Sequence, residues 1–324
     1  MEDAVRAELT EALRPFVRRK ELLEDEPMSA YTTLGFGGPA EVLCEVTSAD
    51  QLMEILRIAK RLNVPVNVLG NGSNLVVKDG GLKGLTLHFG NGFAEISLPV
   101  PLPDGRYAIT AQAGALLTRL SAAAADAGLS GLEFAAGIPG SVGGAVAMNA
   151  GAYGGELKNV VSGVTCVTLA GEIRHYTCEE MAFGYRRSRL SAPEGEPELA
   201  VTATFTLTPG DGETIRVTMR EFNSRRREKQ PLTQPCCGST FKRPPGEFAG
   251  TLIEQCGLKG LRVGGASVST LHAGFLVNDE GGTAADYLRL MAEVQRVVKE
   301  KTGVWLEPEV RVVGEDAPAD DDPR

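Results

Sequence analysis

The 324-residue sequence lacks several features that would place it in a specialised class of protein. No apolar run approaches the ~18 residues that a membrane-spanning helix needs. The N-terminal stretch mixes acids and bases, whereas a secretory signal peptide has an apolar core. The formal net charge of −9 argues against a general nucleic-acid-binding protein. We therefore expect a soluble, cytoplasmic protein with no membrane insertion and no nucleic-acid partner.

Cysteine is also sparse, and its spacing does not suit a metal site or a disulfide framework. No C-x-x-C pair occurs, and a chain of this length does not need disulfides to stabilise its core. We expect reduced thiols and no metal site. The adjacent pair Cys236–Cys237 keeps two interpretations, inert packing or redox sensitivity. The six cysteines are Cys44, Cys166, Cys178, Cys236, Cys237 and Cys256.

The composition itself is that of an ordinary globular protein, with 43% hydrophobic and 23% charged residues, and the length allows two or three domains. Short apolar runs such as AEVLCEV (40–46) and PVNVLG (65–70) mix with helical patterns, which indicates an α+β or α/β fold. The composition changes at TPGDGET (208–214), so we place a domain boundary near residue 209.

Several elements can be predicted from their start and stop signals. A helix should begin near Ser48, a hairpin should turn at Ala170–Gly171, and a helix over 214–230 should stop at Pro231. A further helix over 117–127 follows from the apolar pattern. The last predicted helix has an N-cap pair, Thr283 and Asp286, an apolar face of Leu288, Met291, Val294 and Val298, and a stop at Gly303.

Two glycine-rich segments carry the first functional signal. They are LGNGSNLVVKDGG (69–81) and FAAGIPGSVGGAVAMNAGAYGG (134–155), and the second has neither a helical nor an alternating strand pattern. Dense glycine indicates that something lies against the main chain: a phosphate, a closely packed neighbouring strand, or nothing. The first segment lacks the third glycine of a dinucleotide fingerprint and the Gly-Lys-Ser/Thr of a P-loop. Structural turns and a site for a diphosphate-containing cofactor both remain open.

Charged clusters carry the second signal. Basic residues concentrate in GYRRS (184–188), NSRRREKQP (223–231) and GSTFKRP (238–244), although the whole chain is acidic. Each cluster alone suits a solvated surface, but together they indicate an anionic ligand, since guanidinium groups match carboxylates and phosphates. Near the C-terminus, Glu307 and Glu309 flank Pro308 and are either surface residues or functional carboxylates.

Together and in this order, the motifs resemble the UDP-N-acetylenolpyruvoylglucosamine reductases, the FAD enzymes that complete UDP-N-acetylmuramate for the bacterial cell wall. The resemblance covers residues 31–313, and agreement of so many segments in register makes coincidence implausible. The matching segments are YTTLGFGGPAE (31–41), LGNGSNLVVKDGG (69–81), the glycine-rich 134–155, FGYRRS (183–188), GSTFKRPPG (238–246), LIEQCGLKGLRVGGASVSTLHAGFLVN (252–278) and WLEPEV (305–310).

The resemblance implies a fold and a division into domains. An N-terminal helical segment (1–30) should precede an α+β FAD-binding domain (31–209) of the vanillyl-alcohol oxidase or PCMH type, built from two α+β subdomains. A smaller α+β substrate-binding domain (210–314) should follow, and then a disordered acidic tail (315–324). FAD should be bound non-covalently, because the two glycine-rich segments contain no histidine or cysteine to link it.

The resemblance also implies which residues act. Ser239 should donate the proton that completes the reduction of the enolpyruvyl group, with hydride supplied by NADPH through the flavin. Arg186 and Glu309 should stabilise or polarise the intermediate, and Lys229 and Lys242 should either tune the acidity of Ser239 or hold the diphosphate of the UDP-sugar. The expected FAD-binding residues are Gly70, Asn71, Gly72, Ser73, Asn74, Leu75, Gly137, Ile138, Pro139, Gly140, Ser141, Gly143, Gly144 and, with weaker support, Asn149.

Two departures and two alternatives accompany the resemblance. Only 53 residues separate Arg186 from Ser239, which indicates the shorter subtype that lacks a tyrosine-bearing loop over the substrate. Cysteines stand at 236 and 237, where small residues such as serine and alanine are more usual. The alternatives are an FAD-dependent alcohol or sugar oxidase of the same superfamily and a non-catalytic regulator that binds a nucleotide sugar. No feature indicates an oligomeric state.

Overall fold

The computed structural model describes residues 1–191 and 196–318, which form a mixed α+β structure. No helix in these two stretches is both long and apolar enough to cross a bilayer. The α-helices are α1 (Asp3–Leu13), α2 (Ala49–Arg61), α3 (Leu117–Asp126), α4 (Val142–Ala147), α5 (Gly212–Lys229), α6 (Ala249–Gln255) and α7 (Ala284–Thr302).

The strands form several small sheets rather than one continuous sheet. The larger ones have the orders β1-β2-β5-β3 and β12-β11-β13-β7-β6, with β8 also paired to β13. The strands are β1 (Leu22–Pro27), β2 (Pro39–Glu45), β3 (Val66–Leu69), β4 (Leu75–Val77), β5 (Leu82–His88), β6 (Val100–Pro101), β7 (Tyr107–Gln112), β8 (Leu129–Ser130), β9 (Gly151–Ala152), β10 (Gly155–Glu156), β11 (Val161–Thr168), β12 (Ile173–Thr177), β13 (Glu198–Pro209), β14 (Arg262–Val263), β15 (Ala266–Val268), β16 (Leu276–Asn278) and β17 (Arg311–Val313).

The described chain divides into two compact units, each built from separated segments. The domain boundary predicted near residue 209 stays a prediction. In the structure, the chain passes from the first compact unit to the second inside α5, after Arg226. The first unit contains 1–23, 43–71 and 85–226, and the second contains 24–42, 72–84 and 227 to the end of the described residues.

In the first unit, β13 lies between β11 and β7, and its alternating sequence explains why it forms a strand. Alternate residues along it are buried, among them Val201, Phe205 and Leu207, so one face packs into the core. It pairs antiparallel with β11 and β7. The predicted hairpin joins β11 to β12, and Gly171 takes the left-handed conformation (φ 84°) at its turn.

The predicted helix α2 also lies in the first unit, and its start is confirmed. Ser48 is its N-cap and accepts a hydrogen bond from Gln51 N at 3.1 Å. Its buried face includes Leu52, Ile55 and Leu56. The predicted helices over 117–127 and 214–230 are present as α3 and α5.

The second unit has a core beneath α7. The three-stranded antiparallel sheet β14-β15-β16 and the parallel pair β4-β17 belong to it. The fully buried residues of α7 include Tyr287, Leu290, Val294 and Val298, so the apolar face is rotated from the predicted one. Leu288 and Met291 are only half-buried at its edge, because spacings of three and four residues centre the stripe on Tyr287 and Leu290.

Two terminal predictions need correction. The helical pattern at the N-terminus ends at Leu13, before Pro15, and the strand β1 follows it within the segment predicted as helical. At the other end, Glu315 is ordered, since Gly80 N donates to its carbonyl at 2.9 Å and its own N donates to Gly81 O at 3.0 Å. Asp316 pairs with Lys78. The end of the predicted tail, 319–324, lies outside the described residues.

The predicted caps of α7 are confirmed, and Asp286 contributes both a backbone donor and a carboxylate acceptor to the N-terminal cap. The Thr283 hydroxyl accepts from Asp286 N at 3.1 Å, and Gly303 ends the helix at φ 76°. Burial tends to raise the pKa of Asp286, but hydrogen bonds from Gly265 N, the Arg289 guanidinium and Thr283 N outweigh it, so the pKa lies below its usual 3.8.

We predict that Asp286→Asn lowers the free energy of unfolding at pH 7 by about 1 kcal/mol, because the ionised carboxylate at the helix N-terminus is lost. A carboxyl with a lowered folded-state pKa stabilises the fold above its unfolded pKa and loses this effect as pH falls through the folded value. The deficit, measured by denaturant unfolding, should therefore disappear in acid. An equal deficit at pH 7 and in acid would contradict the charge explanation. Asp126→Asn is the control, because Asp126 is exposed. It should change the free energy of unfolding by no more than about 0.5 kcal/mol.

Candidate functional site

In the first unit, the two glycine-rich segments meet. The side-chain amide of Asn71 donates to the carbonyl of Pro139. Beside this bond, a Cβ added to Gly70 would lie only 2.2 Å from Ser141 Oγ. Segments that are 68 residues apart in the sequence are therefore in contact, with the Asn71 and Ser141 side chains lying against the main chain of the opposite segment.

Close packing explains several of the glycines in the second segment. A Cβ on Gly137 would lie 2.6 Å from Asn223 Oδ1, and one on Gly143 would lie 2.9 Å from Ala113 Cβ. On Gly155 it would meet the Phe134 ring at 2.5 Å. At these positions the glycines pack closely against protein side chains, although these neighbours lie on α5, in a loop and in a short 3-10 helix, and not on the neighbouring strand that was one of the three interpretations.

Some backbone donors in this region are used by the protein, and some are not. Contrary to the sequence reading, residues 142–147 form the short helix α4. Gly143 N donates to Ala113 O at 2.8 Å and Gly144 N to Ser141 Oγ at 3.4 Å, so neither offers the free donor that we expected for a cofactor. Across residues 1–191 and 196–318, in contrast, the N–H groups of Gly70, Asn71 and Gly137 find no protein acceptor.

The side chain of Asn149 is hydrogen-bonded within the protein at the position where we predicted a cofactor contact. Its side chain is 1% exposed. Both amide hydrogens are used, one by Glu156 Oε2 at 2.7 Å and one by Gly184 O at 3.0 Å, and its Oδ1 accepts from Lys158 N at 2.9 Å. No donor is left for a ligand. No local pattern predicts these bonds, because Gly184 is 35 residues away.

Asn149 also anchors the loop that carries Arg186, through its hydrogen bond to Gly184 O. Arg186 is a non-glycine residue in the left-handed region (φ 55°), a costly conformation that is often found at functional sites. Its guanidinium donates to Gly151 O at 3.4 Å, and it is half-buried. Asn149 bonds to Gly184 and Gly151 follows shortly after it, so both contacts lead to the same glycine-rich segment.

Arg226 is a candidate that the sequence analysis did not single out from its basic run. Tyr153 forms the tip of the β9–β10 hairpin, and its ring stacks on Phe222 of α5 at 4.5 Å. Burial lowers the pKa of Arg226 although the hydroxyl group of Tyr153 opposes this. Among the described residues, its buried Nε has no hydrogen-bond partner.

A signal for Arg226 was present in the sequence. It follows Phe222 by four residues and Ile215 by eleven, so it lies on the apolar stripe of α5 rather than on the solvated face. Its side chain also lies beside Gly137, where a Cβ would approach Arg226 Cδ to 3.1 Å. A cation in such a position needs an anion or a polar partner.

The remainder of the first glycine-rich segment lies in the second unit and is tied to the protein. Gly72 (φ 58°) lies so close to Tyr31 O that a Cβ would be 1.9 Å away. The Asn74 side chain donates to Glu309 O at 3.1 Å, and Leu75 pairs with Arg311 in the parallel pair β4-β17. Asn74 therefore serves the main chain around Glu309, a role that we did not predict.

The second unit also brings Ser239 and Glu309 together. Glu309 N donates to Thr240 O at 2.8 Å, so the residue after Ser239 is bonded to Glu309 although they are far apart in the sequence. Ser239 follows Gly238, which adopts φ 79°, and it is half-buried. Within the part of the chain that the structure describes, its hydroxyl has no protein partner. The hydroxyl is therefore available to a ligand.

The two cysteines before Ser239 are protonated thiols. Burial raises the pKa of Cys237 to about 12 and raises that of Cys236 as well. Because the thiolate is the reactive form, these shifts favour the packing interpretation over the redox one.

The two lysines predicted for the substrate lie at the surface of the second unit. Lys242 N donates to Glu307 O at 2.8 Å, and its ammonium lies 3.3 Å from Glu307 Oε2. Lys229 is the last residue of α5 and is exposed. The structure thus places Lys242 beside the predicted WLEPEV segment, and it leaves the role of both lysines as a prediction.

Comparisons with known proteins agree with this arrangement. Residues 40–177 match the FAD binding domain, and residues 230–313 match the C-terminal domain of UDP-N-acetylenolpyruvoylglucosamine reductase. The second match contains both GSTFK and WLEPEV, two of the motifs on which the resemblance depends.

Whole relatives match along nearly their full length. The UDP-N-acetylenolpyruvoylglucosamine reductase of Levilactobacillus brevis is 47% identical over 295 residues, which is 91% of this chain and 94% of its own. That of Limosilactobacillus reuteri is 49% identical over 294 residues, 91% of this chain and 95% of its own. The crystal structure of the Thermus caldophilus reductase matches with a TM-score of 0.74 and 37% identity, covering 90% of this chain and 98% of that one.

These findings confirm the family resemblance, the α+β fold with an FAD-binding domain, the oxidoreductase class and the FAD cofactor. Identities near 47% over 91% of the chain exceed what a shared fold alone would produce. The chain belongs to the UDP-N-acetylenolpyruvoylglucosamine reductase family.

Proposed function

We propose that Arg186, Ser239 and Glu309 carry out the reduction that family membership assigns to this chain. The substrate is the enolpyruvyl ether of UDP-N-acetylglucosamine, the hydride donor is NADPH, and the product, UDP-N-acetylmuramate, serves peptidoglycan synthesis. The observation that carries the proposal is the 2.8 Å bond from Glu309 N to Thr240 O, because it makes the proton-donor segment and the carboxylate segment neighbours.

When bound, FAD would provide the hydride that the terminal carbon of the enolpyruvyl group receives. Negative charge then spreads into the substrate carboxylate, and the adjacent carbon must receive a proton. We assign that proton to the Ser239 hydroxyl, which has no competing protein partner in the described chain. A serine hydroxyl is a weak acid, so it protonates only a strongly basic carbon and requires accurate placement.

Arg186 and Glu309 have different tasks in this proposal. The guanidinium of Arg186 is a cation for the developing carboxylate charge, and its strained backbone and its bond to Gly151 O fix its position in the first unit. Glu309 is held from its main chain by Asn74 and Thr240. Its carboxylate is suited to polarising the substrate.

The residues around Gly70 fit the diphosphate of FAD. The N–H groups of Gly70, Asn71 and Gly137 are available, and bare main chain lets an anion come close to them. The desolvated Arg226 guanidinium lies beside Gly137 and supplies a counter-charge. We propose that this group, within segments 70–75 and 137–144, binds FAD non-covalently.

The UDP diphosphate requires cations outside the FAD site. Lys229 and Lys242 belong to the second unit together with Ser239 and Glu309. Lys242 exchanges its exposed pairing with Glu307 for the substrate at little cost, because exposed ion pairs contribute ~1 kcal/mol or less. We therefore assign both lysines to substrate binding.

One optical experiment tests the function as a whole. NADPH should bleach the flavin of the purified protein, and the colour should return when the enolpyruvyl substrate is added without oxygen. An oxidase would instead recover its colour with oxygen and a different substrate, and a protein without flavin absorbance would be a binding module.

The first prediction from the site concerns FAD. Gly70→Ala should lower the FAD content of the purified protein several-fold, because the new Cβ would lie 2.2 Å from Ser141 Oγ and push the two segments apart. FAD is measured in the supernatant after denaturation, which releases a non-covalent flavin. Gly163→Ala is the control, since its Cβ would meet no atom closer than 3.6 Å. Full FAD content in Gly70→Ala would remove this contact from the site.

The second prediction separates the two half-reactions. Ser239→Ala should leave flavin reduction by NADPH near the parent rate and slow reoxidation by the enolpyruvyl substrate by about 10²–10⁴-fold, the usual contribution of a general acid. Stopped-flow absorbance measures both rates. Cys237 is the rival acid: if Cys237→Ala reoxidises slowly and Ser239→Ala does not, the assignment is wrong.

The third prediction concerns the diphosphate. Lys229→Ala should raise KM for the UDP-sugar more than it lowers kcat, because an interaction made equally in the ground and transition states is lost. Steady-state kinetics at several ionic strengths provide the measurement, and Lys60→Ala on α2 is an exposed control in the first unit. An unchanged KM in Lys229→Ala would place Lys229 outside the substrate site.

A further inference from the structure

A buried chain of hydroxyl and thiol groups lies behind the segment that carries Ser239. Tyr287 of α7 is completely buried. Its Oη lies 3.0 Å from Thr240 Oγ1 and 3.3 Å from Cys237 Sγ. These two partners stand on either side of Gly238 and Ser239, so one phenol contacts both ends of the short segment.

The hydrogen bonds can be directed without leaving a hydroxyl hydrogen unused. Leu276 N donates to Thr240 Oγ1 at 3.2 Å, so the threonine accepts from the strand β16. Thr240 then donates to Tyr287 Oη, and Tyr287 donates to Cys237 Sγ. Burial raises the pKa of Tyr287 and of Cys237, so the chain stays neutral.

Thr240 also connects this chain to the two reacting segments. Its N donates to Gly274 O at 2.9 Å, and its O accepts from Glu309 N at 2.8 Å. The threonine is therefore bonded on one side to the Glu309 main chain and joined on the other to Ser239 by a peptide bond. A shift in the position of Thr240 would therefore move both Ser239 and Glu309.

The part of the segment between the anchors has little support of its own. Gly238 takes φ 79°, and no atom lies within 4 Å of a Cβ built on it. Ser239 makes no side-chain bond to the described protein. Its placement therefore depends on Cys237 and Thr240, both of which contact Tyr287.

We propose that Tyr287 is a positioning residue for proton transfer, which holds the Cys237–Thr240 segment so that Ser239 delivers its proton at the correct distance from Glu309. The inference rests on the proposed roles of Ser239 and Glu309. Tyr287 does not touch the substrate in this proposal. It acts through Thr240, with its ring fixed against Phe36 at 5.7 Å between centroids.

The test is Tyr287→Phe in the FAD-loaded protein, since it removes the hydroxyl and keeps the ring. Reoxidation of the reduced flavin by the enolpyruvyl substrate should slow about tenfold or more, because small displacements of reacting groups have large rate effects. Flavin reduction by NADPH, FAD content and the substrate concentration that gives half the maximal rate should stay within twofold. A purely structural role would not separate the two half-reactions.

Matched variants make the result specific. Thr240→Val should reproduce the slow reoxidation, whereas Thr240→Ser, which keeps the hydroxyl, should restore it. Ser267→Ala removes another buried hydroxyl bond of the same unit, to Asp279 Oδ2 at 3.0 Å, and should leave both half-reactions unchanged. If the Phe variant does not fold, the Thr240 pair gives the same test.

Three outcomes decide between the proposals. If Tyr287→Phe and Thr240→Val each slow reoxidation and their combination is no slower than the worse single variant, both act through one hydrogen bond and the inference holds. If Ser239→Ala is slow but Tyr287→Phe and Thr240→Val reoxidise within twofold of the parent, the inference fails alone. If Ser239→Ala itself reoxidises normally, the proposed function fails first.

Discussion

Close contact between glycine main chain and neighbouring side chains is the constraint on which the first unit depends. Where Gly70 meets Ser141 there is no room for one additional carbon atom, and Gly137 imposes the same limit beside α5. Such contacts tolerate almost no displacement, because an interior packed at crystal-like density transmits strain instead of absorbing it. The N–H groups that face away from these contacts are thereby fixed before any ligand arrives. Preorganisation of this kind lowers the entropic cost of binding a large anionic cofactor.

The sequence was sufficient wherever the physical cause is local. The caps at Ser48 and at Thr283, the stop at Gly303 and the turn at Gly171 each depend on residues a few positions apart, and each was predicted correctly. The alternation along β13 follows from one buried face and is equally local. The shifted face of α7 was the exception, because Tyr287 is a large polar aromatic residue whose hydroxyl finds partners only in the folded unit.

The sequence could not show where a polar residue is satisfied by a distant partner. Asn149 and Asn74 resembled ligand-binding amides, yet their partners lie up to 35 and 235 residues away. No local pattern distinguishes an amide that binds a carbonyl of its own chain from one that binds a cofactor. Arg226 shows the reverse case, since its proposed role in FAD binding rests on its position on an apolar helix face rather than on its charge alone.

The parallel pairing of β4 with β17 has a consequence for biosynthesis. During synthesis, Asn74 cannot form its hydrogen bond until Glu309, 235 residues later, has been translated. In the same way, β4 cannot pair until β17 has been translated. At ~5–20 residues per second, a ribosome needs on the order of 10 to 50 s to supply them. The first unit can fold around its own sheet during that interval. The second unit, with Ser239 and Glu309, is assembled only after β17 has been translated, so a polypeptide truncated before β17 lacks the proposed proton-transfer site.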